Sequence, residues 1–188
     1  RTYGVGGRIE EVSHYMPNWC DNDLHICAPT KSKLNIILKK LGCKEDPPQL
    51  KLGSIVPEPR DLMEQNPVVS TSDNNGQTPP AGFSMPGWYN WRLANWGCKW
   101  DIGECQVTED HAFDYYDMPE GWTRAIINFQ SPWSPPEAWL HAFAKKYPDA
   151  VLGLVYSEGG VGFEGELVLK GEDTLHSDTR DIRPEIEY

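Results

Sequence analysis

The chain has 188 residues, of which 39% are hydrophobic and 24% charged, a globular composition that excludes a disordered chain and can fill one sizeable core. A formal net charge of −11 repels phosphate backbones and anionic lipid unless cations gather on one face, and Lys31/Lys33 and Lys39/Lys40 read instead as the solvated side of a helix. Five cysteines, Cys20, Cys27, Cys43, Cys98 and Cys105, form an odd set without a CxxC pair, which argues against a disulfide framework and for a reducing compartment.

No apolar run approaches the ~18 residues of a membrane span, and no leader h-region opens the chain, so a cytosolic protein is expected. Residues 1–15 lack a sustained period and precede Met16-Pro17-Asn18-Trp19, which looks like a translation start; they read as an extension, native or added. From Trp19 to Ala28 the pattern alternates, with Asn22, Leu24, Ile26 and Ala28 on one face and Asp21, Asp23, His25 and Cys27 on the other, predicting a strand. Thr30 is placed to cap a helix whose Leu34, Ile37, Leu38 and Leu41 recur at helical spacing before Gly42 ends it. A strand is expected at Leu50 to Val56, stopped by Pro57 and Pro59, so that residues 16–57 read as a βαβ unit.

Residues 58–87 are dominated by Pro, Ser, Asn, Asp and Gly and predict a long insertion with at most a short helix near Asp61 to Gln65. Trp88, Trp91, Asn95 and Trp96 then share one side of a short helix, and strand material resumes at Lys99 to Val107. A turn region over Asp110 to Gly121, with Phe113, Tyr115 and Tyr116 as anchors, leads to a strand at Arg124 to Phe129. Ser134-Pro135-Pro136-Glu137 predicts a capping box ahead of a helix bearing Leu140, Phe143 and Tyr147 on one face and ended by Pro148. Ala150 to Tyr156 alternates, Glu158-Gly159-Gly160 turns, and Val161 to Leu169 returns as a hairpin partner. The acidic segment 171–188 is expected to be a loosely held tail. Together these elements predict an α+β globular region over 16–170, a mostly antiparallel sheet with helices packed on one face and one long irregular insertion.

Four motifs taken in order, Met16-Pro17-Asn18-Trp19 with Asn22, Asn95-Trp96-Gly97-Cys98-Lys99-Trp100-Asp101, Ser131-Pro132-Trp133-Ser134-Pro135-Pro136, and Tyr156-Ser157-Glu158-Gly159 with Phe163-Glu164-Gly165, resemble the YubB-like, Api-like proteins of bacteriophages and conjugative plasmids. The resemblance spans about Met16 to Leu169. It implies a ferredoxin-like fold with a ferredoxin-like part at 88–170, a phage or plasmid origin and a bacterial cytoplasm, and it implies no particular reaction.

No nucleophile–base pair stands out. Asp110, His111 and Asp114 could relay a proton or bind a metal, and Glu164 and Glu166 share a strand face near Glu158, but each pattern also fits solvated turns and strands. Cys20/Cys27 and Cys98/Cys105 are seven apart, which on a strand sends the thiols to opposite faces, so neither metal nor cofactor is expected. Eight Trp residues are many for this length, and Trp88, Trp91, Arg92, Trp96, Lys99, Trp100, Asp101 and Trp133 are the candidate partner- or ligand-binding residues; the plainer reading has Trp19, Trp96, Trp100 and Trp133 knitting irregular segments into the core. The leading expectation is an acidic interaction protein that binds and inhibits a host protein, a defence or nucleic-acid-handling factor. A small-ligand or nucleotide binder using the Trp-rich region and a hydrolase are the alternatives. Direct duplex binding and membrane association are not expected, and sheet edges leave a homodimer open.

Overall fold

The computed structural model describes residues 18–62, 87–110, 119 and 121–183. The expectations for residues 1–15, for a helix reaching Gln65, for most of the 58–87 insertion and for the 111–118 part of the aromatic turn lie outside the described residues. β1 (Trp19–Ala28) buries Cys20, Asn22, Leu24, Ile26 and Ala28 toward the helices, as its alternation predicts. α1 (Lys31–Leu41) follows, with Thr30 Oγ1 accepting from the Lys33 N–H at 3.2 Å. Its buried Leu34, Ile37, Leu38 and Leu41 lie under the sheet, each such side chain contributing roughly 1.5–3 kcal/mol through burial. Gly42, at φ 91°, takes the left-handed turn that lets the Cys43 N–H donate to Leu38 O at 2.9 Å and close the helix.

The segment Leu50 to Val56 departs from the predicted strand. Only β2 (Gln49–Leu50) is extended, and it pairs with β3 (Gly103–Glu104) in a separate two-stranded ribbon before a 3₁₀ turn at Leu52–Ser54. The cause is side-chain capture of the backbone. The Asp101 carboxylate accepts from Leu52 N at 2.6 Å and Gly53 N at 3.3 Å, and the indoles of Trp139 and Trp96 donate to Leu52 O at 3.0 Å and Val56 O at 2.9 Å. Backbone groups thus satisfied have no need of a ladder. α2 (Gly87–Asn95) comes next, and the predicted strand at Lys99 to Val107 breaks at Cys105 into β3 and β4 (Gln106–Asp110).

β5 (Thr123–Pro132), α3 (Glu137–Lys146), β6 (Val151–Glu158), β7 (Phe163–Lys170) and β8 (Asp173–Asp181) complete the order. The capping box does not form: Ser134 Oγ donates to Gly97 O at 2.6 Å, α3 has no side-chain cap, and Pro136 sits at the cap position. Because the helix starts only at Glu137, Ser134 lies two residues outside the cap position, and its hydroxyl serves the Gly97 loop instead. The tail expectation is also revised, because β8 pairs antiparallel with β7 over Asp173–Asp181. All nine of its residues are exposed, so β8 is a charged edge strand held by its backbone ladder and by side-chain bonds to β6 and β7, and with Leu175 as its one large apolar residue it shows no apolar alternation.

The main sheet has the order β4-β5-β1-β6-β7-β8, and every neighbouring pair is antiparallel. β5 and β6 flank β1 and therefore run parallel to each other, connected by α3. β1 and β4 likewise flank β5, connected through α1 and the insertion. The strand that completes the first crossover is thus β4, not Leu50 to Val56. α1 and α3 cover one face, where Trp139, Leu140 and Phe143 meet Ile127, Leu152 and Leu154. At Gly165 an added Cβ would come within 2.5 Å of the Tyr156 hydroxyl and of Asp178 O, so only glycine lets that ring lie across β7. The Tyr156 hydroxyl shares a 2.7 Å hydrogen bond with Thr179 Oγ1, and burial, the largest influence, pushes its pKa up to about 12.

Candidate functional site

Among the described residues, no helix lies on the other face of the sheet. Pairing register places side chains on it in rows: Gln130, Asp21, Ser157, Glu164 and Arg180 form one, and Asn128, Asp23, Val155, Glu166 and Asp178 the next. Further along lie His25 with Ile126, Gly153 and His176, and then Cys27 with Arg124 and Val151. Strand alternation alone dictates this composition, since the residues between them fill the core. The Cys27 end is closed by an apolar cluster of Cys27, Val151 and Val168 with Trp122 packed against it. The Asp21 end is open.

A shallow cleft of about 450 Å³ occupies that open end, where Asp21, Asp23, Glu164, Glu166 and Asp178 set five carboxylates against the single guanidinium of Arg180. A second, of about 550 Å³, shares Asp21 and Asp23 and extends over Asn128 and Gln130 to Glu104 and Cys105. Gln130 Nε2 donates to Asp21 at 2.8 Å and Asn128 Nδ2 to Asp23 at 2.5 Å, fixing both carboxylates across the strand pair. Arg180 Nε donates to Glu164 at 2.5 Å, and His176 Nε2 stands 3.8 Å from Glu166. Glu164 and Glu166 do share this face as predicted, but each is engaged with β8 rather than with the other. Glu158 is nearly fully buried and accepts from Gly160 N at 2.9 Å as the anchor of the β6–β7 turn. Among the described residues no group of three His, Cys, Asp or Glu side chains is disposed to hold a metal ion. Asp110 ends β4 and pairs with Arg124 of β5, and His111 and Asp114 lie outside the described residues.

His25 is buried on this face, and burial, then the Arg124 guanidinium, hold its imidazole pKa below the ordinary histidine range, with Asp23 and Glu166 acting in the opposite direction. Five carboxylates gathered around two amides favour cationic groups and repel phosphate. The face also lacks, among the described residues, the row of aromatic rings on which a single strand would stack.

Most of the Trp-rich candidates lie on α2 and in the loop that follows it. Arg92 is clamped between the rings of Trp88 and Trp96, 4.9 and 5.4 Å from their centroids, and forks onto Glu58 at 3.0 and 2.8 Å. Trp91 stands edge-on to Trp96 at 5.6 Å, and Trp96 is only 2% exposed. Lys99 lies 4.9 Å over Trp100, which meets Trp19 edge-on at 6.4 Å, and Asp101 is committed to the 3₁₀ turn. Trp133 is apart from these, half-exposed at the end of β5 with φ 71°, its N–H donating to Asn18 O at 2.9 Å. The structure therefore brings Trp88, Trp91, Arg92 and Trp96 together, with their cation and ring faces turned on one another. The open acidic face was visible in sequence only as the second half of each strand's alternation, Asp21 and Asp23 in β1 and Glu164 and Glu166 in β7, and the sequence reading gave it no role as one surface.

Two interlocked split β-α-β units sharing one antiparallel sheet define a ferredoxin-like α+β protein, and among the described residues α1 and α3 cover one side of that sheet while the other side is acidic. Residues 99–187 match the family model described as a ferredoxin-like domain in Api92-like protein, so the carboxyl-terminal part of the chain is similar to that domain. Among solved structures, the chain is similar to the crystal structure of a protein api92 from Yersinia pseudotuberculosis, with 11% identity, a TM-score of 0.49, and coverage of 90% of this chain and 100% of that one. No curated protein matches the chain. Among the described residues no helix is long and apolar enough to cross a membrane.

Proposed function

We propose that this is an acidic interaction protein, encoded by a bacteriophage or plasmid, whose open sheet face occupies the basic surface of a host protein in the bacterial cytoplasm and so inhibits a defence or nucleic-acid-handling factor. The observation that supports it best is the concentration of carboxylates on the sheet face that the described helices leave uncovered, with Asp21 and Asp23 held in place by Gln130 and Asn128. A groove built of Lys and Arg to accept phosphates accepts such a row equally, and the long-range attraction speeds encounter. The net charge of −11 points the same way. The motif resemblance supports the phage or plasmid origin.

The test compares the wild-type chain with a variant carrying Asp21→Asn, Asp23→Asn, Glu166→Gln and Asp178→Asn as bait in bacterial lysate at low and high salt. A partner with a basic surface, retained by the wild type at low salt, released at high salt and not retained by the variant, is the expected result. A partner held equally by both baits, or none sensitive to salt, counts against the reading. The Trp-rich cluster favours no ligand-binding alternative, because its rings and guanidinium already serve one another.

A further inference from the structure

The insertion between α1 and β4 begins and ends at a cysteine. Cys43 directly follows the Gly42 turn that closes α1, and Cys105 directly precedes β4, yet the β2–β3 ribbon brings the two positions side by side, with Gln49 bonded to Gly42 and paired with Glu104. Backbone bonds hold both positions. The Cys43 N–H donates to Leu38 O at 2.9 Å, Gln49 N to Gly42 O at 3.2 Å and Cys105 N to Pro48 O at 3.2 Å, while Gln49 pairs with Glu104 across the short ribbon. Lys44, beside Cys43, is ion-paired with Glu109 of β4. The two sulfurs also differ in access: Cys43 is buried at 3% exposure, whereas Cys105 is partly exposed and lines the cleft beside Asp21 and Asp23.

We propose that Cys43 and Cys105 form a redox-active dithiol, with Cys105 the attacking thiol toward a hydroperoxide and Cys43 the resolving thiol, whose disulfide ties the two ends of the insertion together. This assignment does not depend on the function proposed above. A partly exposed free thiol set beside a buried one is the arrangement expected of an oxidant-responsive bridge.

The chemistry balances. The Cys105 sulfur attacks the distal oxygen of hydrogen peroxide, the O–O bond breaks, Cys105 becomes a sulfenic acid, and hydroxide leaves to be protonated to water. The Cys43 sulfur then attacks the sulfenic sulfur; the S–S bond forms, the S–O bond breaks, and the oxygen departs as water with the Cys43 proton. Two thiols are oxidised to one disulfide while one peroxide is reduced to two waters. The neighbouring Cys43 thiol lowers the pKa of Cys105, which favours the thiolate needed for the first step. The Cys105 sulfur, together with burial and its charge as a thiolate, raises Cys43, and the charge is removed once Cys105 becomes the neutral sulfenic acid. Burial pushes Cys20 up to about 12, Cys27 to about 11 and Cys98 to about 12, so the remaining thiols stay protonated and covered.

The test treats the full chain with hydrogen peroxide, blocks remaining thiols with iodoacetamide after unfolding, digests without reductant and reads the linkage by mass spectrometry. One intramolecular Cys43–Cys105 link, reversed by dithiothreitol, is expected, with Cys20, Cys27 and Cys98 recovered as alkylated thiols. In the native, reduced chain Cys105 should react with iodoacetamide about tenfold or more faster than those three. Cys43→Ser should leave a Cys105 sulfenic acid that dimedone traps, and Cys105→Ser should leave none at Cys43. Absence of the Cys43–Cys105 link in the oxidised wild-type chain, a measurement that depends on no variant folding, overturns the proposal. So does a link formed preferentially by another pair, and a sulfenic acid that forms as readily on Cys43 in Cys105→Ser reverses the roles.

Discussion

Asn22 Nδ2 donates to Ser131 Oγ at 2.8 Å from within the buried centre of the sheet. The bond opens a relay: Ser131 Oγ donates to Ser134 O at 2.7 Å, and Ser134 Oγ to Gly97 O at 2.6 Å. Three of the sequence motifs, the Asn22 strand, Asn95–Asp101 and Ser131–Pro136, therefore meet along one line of hydrogen bonds that fastens the Gly97 loop to β1 and β5. Their residue types are set by satisfying buried polar groups.

Replacing Asn22 with Leu should leave Ser131 without a donor and the Cys20 carbonyl, which accepts from Asn22 at 2.7 Å, without its partner. A loss of about 1–3 kcal/mol in urea unfolding is expected. Ser131→Ala should cost a similar amount, and the double variant less than the sum, because the two share one bond. Strict additivity would show that the relay carries no energy.

Arg92 and Glu58 form a forked pair whose side chains are 17% and 18% exposed, sandwiched by Trp88 and Trp96. Arg92→Leu should destabilise the chain by about 1–3 kcal/mol, since it strands a mostly covered carboxylate. Arg92→Lys should recover little, because an ammonium cannot fork onto Glu58 and stack between two indoles. Chemical denaturation followed by Trp fluorescence reads both variants. A nucleotide panel should leave the wild-type fluorescence unchanged; a saturable change abolished by Arg92→Leu would restore the ligand-binding reading of these residues.

His25 provides a pH dependence of definite sign. Burial and Arg124 lower its folded-state pKa, so as pH falls through about 6.5 the unfolded chain takes up a proton that the folded chain still refuses. The stability tied to neutral His25 is full above that pH and is lost progressively as pH falls toward the depressed folded value. Asp149 and Asp181 are held low by Lys33 and Arg183 and titrate below this window. Thermal unfolding of the wild type should therefore shift to lower temperature between pH 7.5 and about 5.5, and His25→Gln should flatten that shift. An unchanged slope in the variant would assign the dependence to another group.

The match over residues 99–187 excludes β1, and β1 is what joins β5 to β6. A fragment limited to that range should lack a cooperative unfolding transition, because β5 and β6 would face an open slot where ten residues of β1 pair with β5. Adding residues 18–41 in trans should restore β1 and α1 and with them a cooperative melt. Calorimetry of the fragment alone and with the peptide distinguishes the outcomes, and a sharp transition in the fragment alone would mean that the strands re-pair without β1.

How much of this was legible in the sequence differs from element to element. β1, α1 with its Thr30 and Gly42 caps, β6 and β7 were readable because their periodicity and end signals agree. Leu50 to Val56 looked like a strand by composition but was taken by Asp101, Trp96 and Trp139, all distant in sequence. Ser134 looked like a cap by spacing but bonds to Gly97, and β8 looked like a tail because an exposed edge strand needs a partner more than it needs apolar residues.

By itself the amino-acid sequence determined what local periodicity and charge can determine: the α+β class, the two helices that cover the sheet, the hairpin near the carboxyl terminus, and the acidic character of the whole. Tertiary structure decided the rest. It inserted β1 between β5 and β6, gathered Asp21, Asp23, Glu164, Glu166 and Asp178 onto the sheet face opposite α1 and α3, turned Trp88 and Trp96 onto Arg92, and brought Cys43 and Cys105 to neighbouring positions through the β2–β3 ribbon. Strand order and long-range contact carry no signal in any single window of residues, because they are fixed by which surfaces can be buried together once every element exists.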